Sequence, residues 1–160
     1  MIDRHLETGE PTGLLFQMDA FLSERIPPLN AQELERGVKR ANRELLALGI
    51  TSIQDASSLN DMGRWSMFRS WKEKSLLKPR VSMMLGVGGL NRNGRHEFTT
   101  GLDENQLRLG AVKIILDEST GRLFPSQSQL NEMVLEIHQS GLQVAVHAIE
   151  ERAVESACSA

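Results

Sequence analysis

The chain has 160 residues, of which 40% are hydrophobic and 24% charged, and its formal net charge at pH 7 is −3. These values exclude the disordered, collagen-like and low-complexity classes and allow one domain with a sizeable core. The negative net charge does not indicate a basic surface that would bind nucleic acid. Because no apolar run reaches the roughly 18 residues of a membrane span and residues 1–10 contain no signal core, we expect a cytoplasmic protein with no membrane partner. The single cysteine, Cys158, excludes an internal disulfide and a cysteine-based zinc site.

The first 23 residues differ in pattern from the rest of the chain. The turn cluster Thr8–Gly13, flanked by short apolar stretches, predicts a hairpin-like lead-in over residues 1–23. From residue 24 onwards, runs rich in β-branched or aliphatic residues begin about thirty residues apart, which is the spacing of βα units. We predict strands at Ile50–Asp55, Arg80–Val87, Ala111–Asp117 and Gln143–Ile149.

Helical patterns separate these strands. The first helix begins after the capping box Asn30–Glu33 and ends at Gly49. A later helix begins at the capping box Ser126–Gln129 and ends at Gly141, and a last helix starts near Glu150. Strands that alternate with helices predict an α/β fold with a parallel sheet covered by helices.

The second helix, roughly residues 62–77, carries Trp65, Phe68 and Trp71 at spacings of three. Such a stripe could stack nucleic-acid bases, but the acidic charge of the chain favours packing of this helix on the sheet. The segment Gly88–Glu104, between the second and third strands, is long for a βα connection, and long loops are often functional or disordered.

Two predicted strands carry an ionisable side chain among apolar residues. Period-two alternation places Lys113 opposite the apolar face of Val112, Ile114 and Leu116, and it places His147 on the mixed face of the next strand. The apolar faces should contact the helices, so the mixed faces should point into a barrel interior or a cleft. The carboxyl ends of parallel strands are where α/β proteins place their sites.

These two side chains have functional and structural interpretations. A lysine in such a run is costly unless it is paired or becomes a neutral amine, which can act as a base, form a Schiff base or become a carbamate. A histidine at a strand end can bind a metal ion through a neutral ring nitrogen. In the structural alternative, Lys113 pairs with Asp117 or another carboxylate, and His147 donates to a backbone carbonyl. Dinucleotide, P-loop and nucleophile-elbow motifs are absent from the sequence.

Several stretches resemble the amidohydrolase superfamily, in particular its family-3 branch, which includes N-substituted formamide deformylases. The resemblance covers nearly the whole chain in the family's order, and it is carried by Gly9–Gly13, Leu48–Ala56, Gly110–Asp117 and Val144–Val154. It implies a metal-dependent hydrolase of carbon–nitrogen bonds other than peptide bonds, acting on a small amide-type substrate. It also implies that residues 1–160 form a single partial (β/α)₈ TIM barrel, holding about strands two to five of the family, with residues 24–160 as its βα units.

The resemblance further implies roles for the two ionisable residues. The family's fourth-strand lysine is carboxylated and bridges two metal ions, so Lys113 would be the bridging carbamate. Its fifth-strand histidine binds one of the ions, so His147 would be a metal ligand. A dry interior favours the neutral amine that a carbamate requires, and divalent ions, with zinc as the expected metal, activate water and polarise the substrate carbonyl. This chain has Asp117–Glu118 where the family commonly has Asp-Gly.

Other positions of the family's metal site have no counterpart in this sequence. Its His-x-His pair would precede Met1, and its sixth-strand histidine and catalytic aspartate would follow Ala160. We therefore expect a fragment that is weakly active or inactive alone, with no catalytic residue assigned within it and with two open strand edges through which it forms homo-oligomers. Two alternatives stay open: a dimeric pseudo-barrel that binds metal in its own manner, and a non-catalytic association module in which Lys113 and His147 are relics.

Overall fold

The computed structural model describes residues 1–16, 18–90, 106–118 and 121–160. They divide into two compact units, Met1–Gly37 and Val38–Ala160. The prediction of a single domain over residues 1–160 stays a prediction. The strands are β1 (Ile2–Arg4), β2 (Pro11–Leu15), β3 (Ser52–Asp55), β4 (Arg80–Gly86), β5 (Leu107–Ile115) and β6 (Val144–His147). The α-helices are α1 (Asp19–Ser23), α2 (Ala31–Ala47), α3 (Met62–Glu73), α4 (Gln127–Gln139) and α5 (Glu151–Cys158).

The first unit contains the predicted hairpin. Strands β1 and β2 pair antiparallel, and the Thr12 hydroxyl donates to an Asp3 carboxylate oxygen at 2.7 Å across the pair. The predicted turn cluster Thr8–Gly13 is wrong in its second half, because β2 already begins at Pro11. Proline at the start of a strand is tolerated because its missing N–H then removes no bond from within the ladder.

The second unit contains a four-stranded parallel sheet in the order β3-β4-β5-β6. This sheet is a curled half-barrel, which confirms the predicted partial TIM-barrel fold. Strands β3, β4 and β6 match the predicted strands to within two residues at each end. None of the described helices has the length and apolarity needed to cross a membrane.

Among the described residues, helices pack on one face of the sheet and none packs on the other, which is called the open face below. Leu130 and Ile137 of α4 are buried against a cluster that includes Leu85, Val112 and Ile114, all less than 3% exposed. This packing confirms that the apolar face predicted for the third strand of the sheet contacts helices.

The aromatic stripe of α3 belongs to the core. Trp65, Phe68 and Trp71 pack against a second buried cluster that includes Val81 and Met83 of β4. The interpretation of this stripe as sheet packing is therefore confirmed. The rings of Phe68 and Trp71 also contact each other, with their centroids 5.0 Å apart.

Both predicted capping boxes are present. The Asn30 backbone N–H donates to Glu33 Oε2 at 2.8 Å and the Glu33 N–H donates to Asn30 Oδ1 at 3.0 Å. Ser126 and Gln129 make the same reciprocal pair at the start of α4. Gly49 and Gly141 follow their helices with φ of 72° and 75°, a conformation that glycine adopts without steric cost.

Strand β5 begins at Leu107, four residues before the predicted start at Ala111. Leu109 pairs with Met83 and Val112 with Leu85, so Gly110 and Ala111 together lie opposite a single residue of β4. This β-bulge changes the alternation within one strand, which explains why a simple period of two did not extend the strand backwards. Most of the predicted long loop Gly88–Glu104 lies outside the described residues.

Candidate metal-binding site

The open face of the sheet carries both ionisable residues singled out from the sequence. Lys113 of β5 is in register with Gly86 of β4 and Ala145 of β6, and Ile115 is in register with His147. Since residues two apart on a strand share a face, Lys113 and His147 lie on the same side of adjacent parallel strands. A rise of about 3.3 Å per residue and a strand spacing of about 4.8 Å put their Cα atoms roughly 8 Å apart.

The surroundings of these side chains differ from the structural alternative. Lys113 is half-buried and His147 is exposed. Within the described part of the chain, neither the Lys113 ammonium nor the His147 imidazole makes a hydrogen bond or an ion pair. The dry interior expected around Lys113 is not formed by these four strands alone, because the face on which it lies is open.

The two acidic residues that follow β5 contact residues other than Lys113. The backbone of Asp117 bridges to Phe124, with N–H···O distances of 2.9 and 2.8 Å. Glu118, whose side chain is 13% exposed, accepts a hydrogen bond from Arg152 of α5. Glu118 therefore links the end of β5 to the last helix.

A loop packs tightly against the end of β4, next to the register position of Lys113. The Gly86 N–H donates to the Asn60 carbonyl at 2.9 Å, and Asn60 Nδ2 donates to the Met84 carbonyl at 3.0 Å. A Cβ at Gly86 would lie 1.8 Å from the Ser58 carbonyl oxygen. That carbonyl occupies the space that a side chain of residue 86 would fill beside Lys113.

Sequence reasoning missed this loop contact. The signal in the sequence was a glycine near the end of the predicted strand Arg80–Val87, which does not indicate what packs against it. Asn60, which is 1% exposed, had no motif around it that could have marked it as a buried link.

The residues present fit part of a metal site. A carbamate offers two oxygens and a neutral imidazole one nitrogen, a donor set that divalent zinc accepts. No group of three or more His, Cys, Asp or Glu side chains that could hold a metal ion occurs among the described residues. Lys113 and His147 are therefore two candidate ligand positions, and their assignment as metal ligands stays a prediction.

The fold and these two residues define an α/β half-barrel with metal-ligating side-chain types on its open face. The model of the amidohydrolase family matches residues 3–160, and the chain belongs to that family. No curated protein matches the chain.

Two solved structures share the fold. One is an uncharacterized metal-dependent hydrolase from Pyrococcus furiosus, with 24% identity over 88% of this chain and a TM-score of 0.65. The other is an uncharacterized metal-dependent hydrolase from Pyrococcus horikoshii OT3, with 21% identity over 99% of this chain and a TM-score of 0.67. The chain spans 33% and 36% of the lengths of these two proteins, respectively.

Proposed function

We propose that this chain is part of a metal-dependent amidohydrolase that cleaves carbon–nitrogen bonds other than peptide bonds in small amide-type substrates. In this proposal Lys113 and His147 are ligands of its metal centre. The observation that carries the proposal is their placement on one face of adjacent parallel strands, with no other partner in the described structure. The family match over residues 3–160 supports the same reaction class.

Each of the two residues has a defined chemical task. The Lys113 ammonium loses one proton to become a neutral amine, the amine nitrogen forms a bond to the carbon of carbon dioxide, and loss of a second proton from nitrogen leaves an anionic carbamate with two oxygen donors. His147 in its neutral form offers one ring nitrogen from the end of β6. A bound divalent ion, for which we propose zinc, supplies Lewis-acid activation of water and of the substrate carbonyl. Ala145 on β6 is small and leaves room on one side of Lys113, whereas on the β4 side the Ser58 carbonyl lies where a side chain of residue 86 would be.

A calorimetric titration of the purified chain with zinc, in bicarbonate buffer, tests the ligand assignment. Lys113→Ala and His147→Ala should each lower zinc affinity by at least roughly tenfold. Replacing a residue that only hydrogen-bonds to a metal ligand already lowers metal affinity by about that factor. His138→Ala is the matched control, since His138 is an exposed histidine of α4. Equal zinc affinity in all four proteins would overturn the assignment of both residues.

The carbamate has its own test. Carbon-13 NMR in labelled bicarbonate with zinc should show one carbamate signal in the unaltered chain. Lys113→Arg keeps the positive charge but cannot be carboxylated, so the signal should disappear, whereas Lys39→Arg on α2 should retain it. A carbamate signal that persists in Lys113→Arg would refute the role of Lys113.

Hydrolysis is tested in a full-length family member that carries the equivalent lysine. Substitution of that lysine by alanine should abolish hydrolysis of its amide substrate. Activity that survives the substitution would refute the proposed metal-bridging role.

A second candidate is an association module, favoured by the edges of the sheet. In the described part of the chain β3 pairs only with β4 and β6 only with β5, so each edge strand presents unpaired backbone groups. We propose that copies of the chain associate through these edges. Light scattering should show a mass that rises with concentration, and a monomer with sharp two-state unfolding would refute association. We also propose a cytoplasmic location, which is supported by the free, exposed thiol of Cys158.

A further inference from the structure

A cavity of about 540 Å³ lies on the open face of the sheet, in the half where the strands begin. Its polar lining comes from all four strands or their immediate starts, with Gln54, Ser82, Arg108 and Gln143 as the polar side chains. Arg108 and Lys113 are in register with Ser82 and Gly86 of β4, which are four residues apart and therefore roughly 13 Å apart along the strand. The polar side chains of the cavity and Lys113 therefore lie at different levels of the same face, and the cavity extends to Ala145, the register partner of Lys113.

Arg108 provides an unpaired positive charge in this cavity. Its neighbours Leu107 and Leu109 are 1% and 4% exposed and face the helices, so Arg108 faces the open side. In the described structure its guanidinium makes no hydrogen bond or ion pair, and no acidic side chain lines the cavity. The side-chain amides of Gln54 and Gln143 also have no hydrogen-bond partner among the described residues.

Ser82 provides a second and independent signal. The residue is 8% exposed, and its hydroxyl oxygen is buried with no hydrogen-bond partner in the described structure. Buried hydroxyl groups in folded proteins nearly always have a partner, so an orphaned one beside a cavity points to a ligand. Gly110, at the bulge of β5, keeps the space around this hydroxyl free, because a Cβ there would lie 3.0 Å from the Ser82 oxygen.

We propose that this cavity binds the carboxylate group of a small molecule. A carboxylate accepts hydrogen bonds and donates none. The lining offers it matching donors: the guanidinium N–H groups of Arg108, the Ser82 hydroxyl and the amide N–H groups of Gln54 and Gln143. The planar guanidinium pairs with both carboxylate oxygens at once, which a lysine could not do. The cavity volume lies within the range of small-molecule sites. The proposal depends on these four side chains and is independent of the metal centre.

Titration with succinate, in chloride buffer of matched ionic strength, tests the site. We expect saturable 1:1 binding, measured by calorimetry in every variant and, in the unaltered chain, also by the Arg108 side-chain signal in nitrogen-15 NMR. Arg108→Gln should weaken succinate binding by at least roughly tenfold, because it removes the charged group that donates to the succinate carboxylate. Ser82→Ala, which removes one neutral donor, should weaken binding by up to about tenfold. Arg43→Gln, which removes an exposed arginine of α2, should leave succinate affinity unchanged.

Three results would overturn the proposal: no saturable binding of succinate, equal shifts with chloride alone, or an equal loss of affinity in Arg43→Gln. Ser82→Ala keeps the test decisive if Arg108→Gln fails to fold. Because the Ser82 hydroxyl has no partner in the described structure, its removal should not lower the free energy of unfolding. Unchanged succinate affinity in a folded Ser82→Ala variant would therefore refute the role of Ser82.

Discussion

Replacing Gly86 by alanine should destabilise the protein through one identifiable clash. The added Cβ would meet the Ser58 carbonyl oxygen at 1.8 Å and its carbon at 2.7 Å. Both are backbone atoms, so no side-chain rotation relieves the contact, and the loop before α3 must move by more than an ångström. Gly86 itself has φ of −72° and ψ of 157°, which alanine adopts freely, so the cost is steric and not conformational.

The magnitude follows from the bonds that hold the loop. Moving it breaks the bond from the Gly86 N–H to the Asn60 carbonyl and the bond from Asn60 Nδ2 to the Met84 carbonyl. Each is worth about 1 kcal/mol, and groups left unsatisfied in a buried place cost about 1–3 kcal/mol more. Alanine restricts the unfolded chain and returns about 0.4–1 kcal/mol. The free energy of unfolding should therefore fall by about 2–5 kcal/mol.

Urea denaturation of Gly86→Ala and Gly88→Ala measures this effect against a matched control. A Cβ at Gly88, two residues further on, meets no atom within 4 Å. Gly88→Ala should therefore change the free energy of unfolding by less than about 1 kcal/mol. Equal unfolding free energies for the two variants would refute the reasoning, because they would mean that the Ser58 carbonyl does not lie against Gly86.

Other contacts give further predictions, each measured as a change in the free energy of unfolding in urea. Lys72→Met should lower the free energy of unfolding by about 2–3 kcal/mol, because the buried Lys72 ammonium donates to the carbonyls of Lys78 and Pro79 at 3.1 and 2.8 Å. A loss of less than about 0.5 kcal/mol, which is typical of a surface substitution, would contradict this. Ser126→Ala should cost about 1 kcal/mol through loss of the helix cap, and Ser126→Asp, which can still cap, should restore most of it. Leu130→Ala should cost about 2–5 kcal/mol, because Leu130 is fully buried; an effect near zero would place α4 away from the sheet.

The sequence predicted the features that depend on neighbouring residues. Capping boxes and terminal glycines act within one or two turns, so Asn30–Glu33 and Ser126–Gln129 could be identified from their spacing alone. The placement of Lys113 and His147 on one face followed from alternation and from the parallel order of their strands.

Features that depend on distant residues could not be predicted. The orphaned Ser82 hydroxyl is visible only when β5 lies beside β4, and the contact of Gly86 with Ser58 requires the loop before α3 to fold back on the sheet. The start of β5 was missed because Leu109 and Val112 are three residues apart, which breaks a period of two. That spacing is the sequence signature of the bulge at Gly110 and Ala111.

The bulge in β5 determines the face of the sheet on which Lys113 lies. If β5 continued from Leu109 with strict alternation, Lys113 would lie on the helix side and Val112 on the open side. Removing one residue at Gly110 or Ala111 would remove the bulge and leave a single residue between Leu109 and Val112, so strict alternation would then keep Val112 on the helix side and Lys113 on the open side. In comparisons between relatives of this chain, a gap of one residue at this place is therefore compatible with a lysine on the open face, and alignments should be judged by whether they place such a gap here and not later in the strand.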